Sequence, residues 1–231
     1  MLKVASHPDY PPEDGRYLRG NDFSPVAVAI ILNCDADKIP PELEDLVRAG
    51  LETGAALSGT VQTENIGFEK MVCNIVANPN IRYLVVGGPE SAGHQTGQAL
   101  KALIRHGVDE NKRIIGTEAP HPFLFNLSRE MIERFRKQLS LIDLQFEGDP
   151  GLVSEAVSCC YQEDPVHFRG YSLYDPGAYP EPPLCGKLTW RVTEPWTEVT
   201  DEKEREAKGR AQELMDRLRA RARKNLGDKK Q

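Results

Sequence analysis

Residues 81–98 read IRYLVVGGPESAGHQTGQ, and this stretch indicates the fold class of the chain. Its first half is a mostly apolar run that ends in a pair of glycines, which is typical of a strand buried on both faces. Its second half is small and polar. Leu100, Leu103 and Ile104 after it have the spacing of an amphipathic helix. The stretch is therefore predicted to be a strand, a loop and the start of a helix.

The same alternation of strands and helices continues on both sides of this stretch. Apolar runs predict further strands at residues 26–32, 55–61, 113–117 and 141–146, and helical periodicity or caps predict helices around residues 43–51, 68–76, 128–139 and 150–160. Alternating elements with near-continuous apolar strands indicate a mainly parallel sheet with helices on both faces. We therefore predict a doubly wound, Rossmann-like α/β fold.

Composition and charge exclude several classes of protein. The net charge of −6 divides unevenly, because residues 201–231 carry 11 Lys and Arg against 7 Asp and Glu, which leaves −10 in residues 1–200. An acidic body argues against nucleic acid as a partner. No apolar run has the length of a membrane span, so we expect no direct membrane insertion. The five cysteines include the adjacent pair Cys159 and Cys160 and predict no disulfide framework, which favours the cytoplasm.

We expect one domain over residues 1–197, with its core at about residues 24–162 and an extended arm at residues 163–197. Within the arm, Leu184 to Val192 has the character of an edge strand. Residues 198–231 form a charged, partly helical tail. The tail is interpreted either as a solvated helix or as a docking helix for an acidic partner.

Three loops should hold a ligand, because ligands of doubly wound sheets bind outside the carboxyl ends of the strands. The loops span residues 59–67, 87–98 and 116–123, and each combines glycines with small polar side chains. This composition favours a large polar ligand with amide or phosphate groups. None of the loops contains a dinucleotide fingerprint or a Walker motif.

His94 is the strongest ligating candidate in these loops. A helix N-terminus disfavours the imidazolium form, and a neutral imidazole is what a metal requires. The alternative is a histidine that only caps the helix or packs in the loop. His121 in the third loop is a weaker candidate for ligand contact. No nucleophile lies beside a base, so the reactivity is expected to come from a cofactor.

A set of segments together resembles one family, the A subunit of tetrahydromethanopterin S-methyltransferase. The resemblance covers about residues 20–185 and rests on residues 24–28, on GTVQTENIGFEK at residues 59–70, on residues 78–82, on GHQTGQAL at residues 93–100, and on residues 113–116 and 175–179. The combination of TVQTENIG with GHxTGQ is the specific part. The resemblance implies that the chain is the corrinoid-carrying component of a methanogen membrane complex.

The resemblance implies that cobalamin or a related corrinoid is the cofactor, with His94 as the axial ligand of its cobalt. A methyl group would pass from a methyl-tetrahydropterin-type donor through cobalt to an acceptor such as a thiol. The partner would be the methyl-tetrahydropterin-handling subunit of a methyltransferase. The cofactor-binding residues would be His94, Thr60, Gln62, Thr63, Glu64, Asn65, Gly88, Gln95, Thr96, Gly97, Gly116, Thr117 and Pro120.

The chain departs from related patterns in two places. The family has a C-terminal membrane-anchoring helix, whereas residues 219–224 here are mostly basic, which implies a soluble form. In the cobalamin motif DxHxxG, Ala92 replaces the aspartate that would orient His94, and Glu90 or Ser91 could take that role. Two alternatives stay open: a Rossmann-like enzyme for a nucleotide or sugar phosphate, and an interaction module recruited through the tail.

Overall fold

A computed structural model describes residues 3–35 and 38–184 of the chain. All of these residues belong to one compact unit. Its central sheet has five strands in the order β1-β3-β2-β4-β5. The strands are β1 (Tyr17–Arg19), β2 (Val26–Ile31), β3 (Leu57–Val61), β4 (Tyr83–Gly88) and β5 (Ser140–Gln145). β2 to β5 run parallel, and β1 pairs antiparallel with β3 at the edge.

Five helices cover the two faces of this sheet. They are α1 (Pro41–Glu52), α2 (Ile66–Val76), α3 (Thr96–His106), α4 (Arg129–Gln138) and α5 (Pro150–Cys160). The buried residues of α2, α3 and α4 share one hydrophobic cluster, and those of α1 and α5 share the other. The doubly wound, Rossmann-like α/β fold predicted from the sequence is confirmed.

The buried strands show why the apolar runs are continuous. All six residues of β2 are buried, since Ala27, Ala29 and Ile31 face the α2 side and the residues between them face the α1 side. Helix ends also follow the sequence. The Ser128 hydroxyl accepts a hydrogen bond from the Met131 amide at the start of α4, and α3 ends at Gly107 with a φ of 73°.

Residues 113–117 are not the strand that the sequence predicts. They make only isolated bridges, from Val108 to Ile114 and from Arg113 to Phe123. β5 pairs directly with β4, so no position is left between these strands. Of the two isoleucines in the run, Ile114 is buried but Ile115 is 43% exposed, and Gly116 then turns the chain at a φ of 79°. The run is too short to supply a strand with two buried faces.

The start and the arm of the domain also differ from expectation. β1 lies before the expected core at residues 24–162, in a segment where the sequence predicts no strand. The arm begins with a hairpin of β6 (Val166–Phe168) and β7 (Tyr171–Leu173) and continues as extended chain. Its Tyr179 amide donates to the Pro79 carbonyl at 2.9 Å. Residues 185–197 of the arm, most of the edge strand predicted from Leu184, and the tail at 198–231 lie outside the described residues.

None of the helices within the described part of the chain combines the length and the apolar character that a membrane span needs.

Candidate functional site

The loops after β3 and β4 meet through a pair of side chains. His94 Nδ1 lies 2.7 Å from Glu64 Oε2, although the two residues come from different loops. The side chain of Glu64 is fully buried, whereas that of His94 is 39% exposed. A buried carboxylate thus holds one ring nitrogen of a histidine that remains open to solvent.

The third segment joins the same carboxylate. The other oxygen of Glu64 accepts a hydrogen bond from the His121 amide at 2.9 Å. The imidazole of His121 takes no part in this bond, and the residue is exposed. Glu64 therefore ties together all three segments that the sequence predicted to line a ligand site.

This arrangement selects one tautomer of His94. An ionised carboxylate can only accept, so Nδ1 carries the proton and donates it to Glu64. The lone pair then resides on Nε2, which makes no hydrogen bond to any residue within the described ranges. A carboxylate behind a histidine is the usual way of orienting a metal-ligating imidazole and raising its basicity.

The residues proposed from the sequence to orient His94 have other roles. Glu90 accepts from the amides of Gly97 and Gln98 at 2.7 and 3.0 Å, and from Gln145 Nε2 at 3.1 Å. Ser91 Oγ donates to the Gln62 carbonyl at 3.0 Å. Glu90 thus caps the first turn of α3. The orienting carboxylate missing at Ala92 is supplied by Glu64.

The loop that carries His94 is built to stay close to the first loop. Thr96 Oγ1 donates to the Gln62 carbonyl at 2.7 Å, the same acceptor that Ser91 uses. Gln95 adopts a left-handed backbone with a φ of 48° directly before α3. Gly93 also has a positive φ, of 80°, and a Cβ added there would meet no atom within 4 Å. Open space therefore lies beside His94.

Known proteins resemble this chain over most of its described length. The family model for the A subunit of tetrahydromethanopterin S-methyltransferase matches residues 3–174. The chain belongs to this family. The A subunit designated 2 from Methanothermobacter thermautotrophicus is 41% identical over 192 residues, which is 81% of this chain and 93% of that protein. The A subunit from Methanococcus aeolicus is 39% identical over 168 residues, covering 72% and 66%. As a member of this family, the chain is a component of a methyltransferase.

In this member of the A-subunit family, the polar side chains of the first loop mostly support the loop itself. Gln62 Nε2 donates to the Cys34 carbonyl, Thr63 Oγ1 accepts from the Gly67 amide, and Asn65 Oδ1 accepts from the Ile66 amide. Thr60 lies at the edge of the sheet beside Arg16. The role of these residues in cofactor binding stays a prediction, and Glu64 is the one that contacts His94.

The third segment reaches the site at only one of its ends. Thr117 Oγ1 donates to Gln98 Oε1 at 2.8 Å near the start of α3, and exposed Pro120 precedes the amide that binds Glu64. Gly116, in contrast, lies against His106 at the last turn of α3.

Gly88 ends β4 with a φ of 85°, where a Cβ would come within 2.6 Å of the Ile31 carbonyl.

A second buried carboxylate fixes the far end of this segment. Glu69 of α2 accepts from both the backbone amide and the side-chain amide of Asn126 at 2.9 Å. Burial raises the pKa of the Glu69 carboxyl, while the two hydrogen bonds from Asn126 act in the opposite direction. Glu64 and Glu69 together hold the segment against α2.

The described residues contain no cluster of three or more His, Cys, Asp or Glu side chains that could enclose a metal ion. Cys73 is buried in the core, and burial raises the pKa of its thiol to about 12. A metal bound at His94 would need its remaining ligands from another molecule.

Proposed function

We propose that this chain is the corrinoid-binding methyl carrier of a methyltransferase system. In this proposal His94 Nε2 is the axial ligand to the cobalt of cobalamin or a related corrinoid. The observation that carries it is the contact of His94 Nδ1 with the fully buried carboxylate of Glu64, which supports Nε2 as the nitrogen available to a ligand.

The residues present fit such a cofactor. Among the described residues, His94 has no neighbouring side chains that could complete the coordination of a free ion. A corrinoid would bring most of the ligands of its cobalt with it, and His94 would be the residue of the protein that holds the metal. At the neighbouring Gly93, a Cβ would meet no atom within 4 Å, so the backbone there is open to a ligand.

In this proposal the cofactor carries the reactivity, and the protein controls the tautomer and the orientation of His94. When bound, the corrinoid supplies a cobalt atom that takes up a methyl group from a methyl-tetrahydropterin-type donor and gives it up to an acceptor such as a thiol. Glu64 keeps the proton on Nδ1 and the ring in one orientation. The amide of His121, bound to the same carboxylate, restrains Glu64 in turn.

The contacts of Glu90 disfavour the alternative of a nucleotide or sugar phosphate enzyme. Phosphate groups in doubly wound folds bind the free amides at a helix N-terminus. At α3 the carboxylate of Glu90 already occupies the amides of Gly97 and Gln98. At α2 the side chains of Thr63 and Asn65 bind the first amides.

The carrier role implies a partner that handles the methyl-tetrahydropterin. The relatives are named as A subunits of a methyltransferase, and a carrier with one ligating histidine needs other proteins to bind the methyl donor and acceptor. We propose that the partner is the subunit that binds the methyl donor.

The free thiols of the described cysteines support a reducing compartment such as the cytoplasm.

Reconstitution with hydroxocobalamin tests the proposal. The wild-type protein should give the absorption spectrum of a base-off corrinoid with a histidine ligand, and His94→Ala should lose it. His121→Ala is the matched control, because only the backbone amide of His121 contacts Glu64, and it should retain the spectrum. The same spectrum from His94→Ala as from wild type would contradict the axial-ligand role.

A further inference from the structure

A cleft of about 210 Å³ runs along the solvent side of α3. Neither His94 nor Glu64 belongs to its lining, so the cleft is separate from the histidine site. The residues that give it its chemistry are Gln98, Lys101, Arg105, His106, Gly116 and Asp143.

The cleft is positively charged, although the body of the chain is acidic. Among the described residues that line it, Asp143 supplies the one carboxylate. Both oxygens of that carboxylate are already engaged. Oδ2 lies 3.0 Å from Lys101 Nζ, and Oδ1 accepts from the Gln145 amide at 3.1 Å. Arg105 therefore leaves a net positive charge here, in a chain whose residues 1–200 carry a net charge of −10.

The side chains of Arg105 and His106 are available to a ligand. Both residues are exposed, and their side chains make no hydrogen bond or ion pair with any residue that the structure describes. Cations in the last turn of a helix commonly bind its unpaired carbonyls. Here Arg136 of α4 does so instead, since it donates to the Ile104 carbonyl at 3.3 Å and to the Arg105 carbonyl at 3.2 Å. The end of α3 thus does not require the side chains of Arg105 and His106.

Gln98 adds a donor at the other end of the cleft. Its Oε1 accepts from Thr117 Oγ1 at 2.8 Å and from the Glu118 amide at 3.0 Å. Because a backbone amide can only donate, these contacts place the oxygen of Gln98 toward the third segment and leave its NH2 group on the other side. That group has no acceptor within the described part of the chain. The hydrogen-bonding groups of the cleft that remain unpaired are therefore chiefly donors.

Gly116 forms the wall opposite His106. It is exposed and has a φ of 79°, and a Cβ there would come within 3.0 Å of His106 Cδ2. A larger residue at this position would press on the imidazole and narrow the cleft. The glycine backbone thus keeps the cleft open beside His106.

The spacing of the donors indicates the kind of anion that fits. Arg105 follows Gln98 by seven residues on the same face of α3. At a rise of about 1.5 Å per residue, the donors are spread over about 10 Å of the helix axis. An anion with a single charged group spans only part of that length. A guanidinium group binds phosphate and carboxylate groups equally well in geometry, through paired N–H donors.

We propose that this cleft binds a small anion that carries at least two charged groups, phosphate or carboxylate, between Lys101 and Arg105. The proposal goes beyond the methyl-carrier function and does not depend on a corrinoid. It assigns a role to Arg105, His106 and Gly116, which the histidine site does not use.

Isothermal titration calorimetry of the full chain at low salt tests the proposal, with pyrophosphate and citrate as probes. Wild-type protein should bind each anion at one site per chain. Arg105→Gln should weaken the affinity about tenfold, the usual effect of losing a hydrogen bond to a charged group. Arg48→Gln removes an exposed arginine of α1, on the other face of the sheet, and is the matched control. It should bind as tightly as wild type.

Thermal unfolding accompanies each titration, and His106→Ala provides a second change in the cleft if Arg105→Gln fails to fold. Failure of wild type to bind either anion would overturn the proposal. Equal losses in Arg105→Gln and Arg48→Gln would also overturn it, because they would show attraction to the overall charge. Tighter binding of a hexaglutamate peptide, lost in Arg105→Gln, would overturn the small anion in favour of an acidic protein segment.

Discussion

At the scale of single residues, the site depends on a contact that spans 30 positions of sequence. His94 and Glu64 are both expected site residues from the sequence, but their pairing is not. It arises only when the loops after β3 and β4 pack against each other, and no local pattern encodes that. Glu90, much closer in sequence, is the more obvious partner, yet it caps α3.

Glu64→Gln tests the orienting role. His94 Nδ1 and the His121 amide bind different oxygens of Glu64, and glutamine replaces one of these oxygens by an NH2 group that only donates, so one of the two contacts is lost. We expect the affinity for cobalamin to fall by about 10- to 100-fold, the usual effect of losing a residue that orients a ligand. Spectroscopic titration measures it. Glu118→Gln, at an exposed position of the third segment, should have no effect, and equal affinity in the two variants would contradict the role.

Phe146 carries backbone strain beside the site. It follows β5, has a φ of 71°, and its side chain is 72% exposed, so little burial offsets the unfavourable backbone. Asparagine tolerates this conformation, and Phe146→Asn should raise the free energy of unfolding by about 1 kcal/mol. Chemical denaturation measures the change. Phe23→Asn, an exposed phenylalanine without positive φ, is the control, and an equal effect there would argue against strain.

At the scale of elements, the carboxylate of Glu90 occupies the amides of α3 that a phosphate would otherwise bind. Glu90→Ala should cost about 1 kcal/mol of stability, since it leaves the amides of Gly97 and Gln98 without their acceptor. It should also create an anion site. Thermal unfolding in increasing phosphate should then show a larger rise in midpoint for Glu90→Ala than for wild type or exposed Glu110→Ala. The same response in all three proteins would contradict the capping argument.

Most of the secondary structure could be predicted from the sequence. Strands β2 to β5 and all five helices follow from apolar runs and helical spacing, because each buries a continuous face. Residues 113–117 are also apolar, but the run is short, and β5 pairs with β4 in its place. Tyr17 to Arg19 show the reverse case, because they form a strand that the sequence does not predict. They pair with β3, with Tyr17 opposite Gly59, although their own composition does not predict a strand.

At the scale of the whole molecule, the buried cation Arg134 is one of the residues that fasten the arm to the core. The side chain of Arg134 is 8% exposed, pairs with Glu181 at 2.7 Å, and lies 4.8 Å from the centre of the Tyr179 ring. Arg134→Met removes these contacts but keeps much of the apolar stem. We expect faster proteolysis within residues 175–184, with mass spectrometry locating the cuts. Exposed Lys137→Met on the same helix should be cut at the wild-type rate, and equal rates for both would contradict this role.

The central claim, that His94 binds cobalt, is tested most directly by electron paramagnetic resonance. The protein is labelled with nitrogen-15 only in histidine, reconstituted with unlabelled cobalamin and reduced to the cobalt(II) state. A histidine nitrogen on cobalt then splits each line into a doublet, whereas the nitrogen-14 of the cofactor's own base gives a triplet. We predict the doublet, and its loss in His94→Ala. A triplet from the labelled wild-type protein would contradict the account.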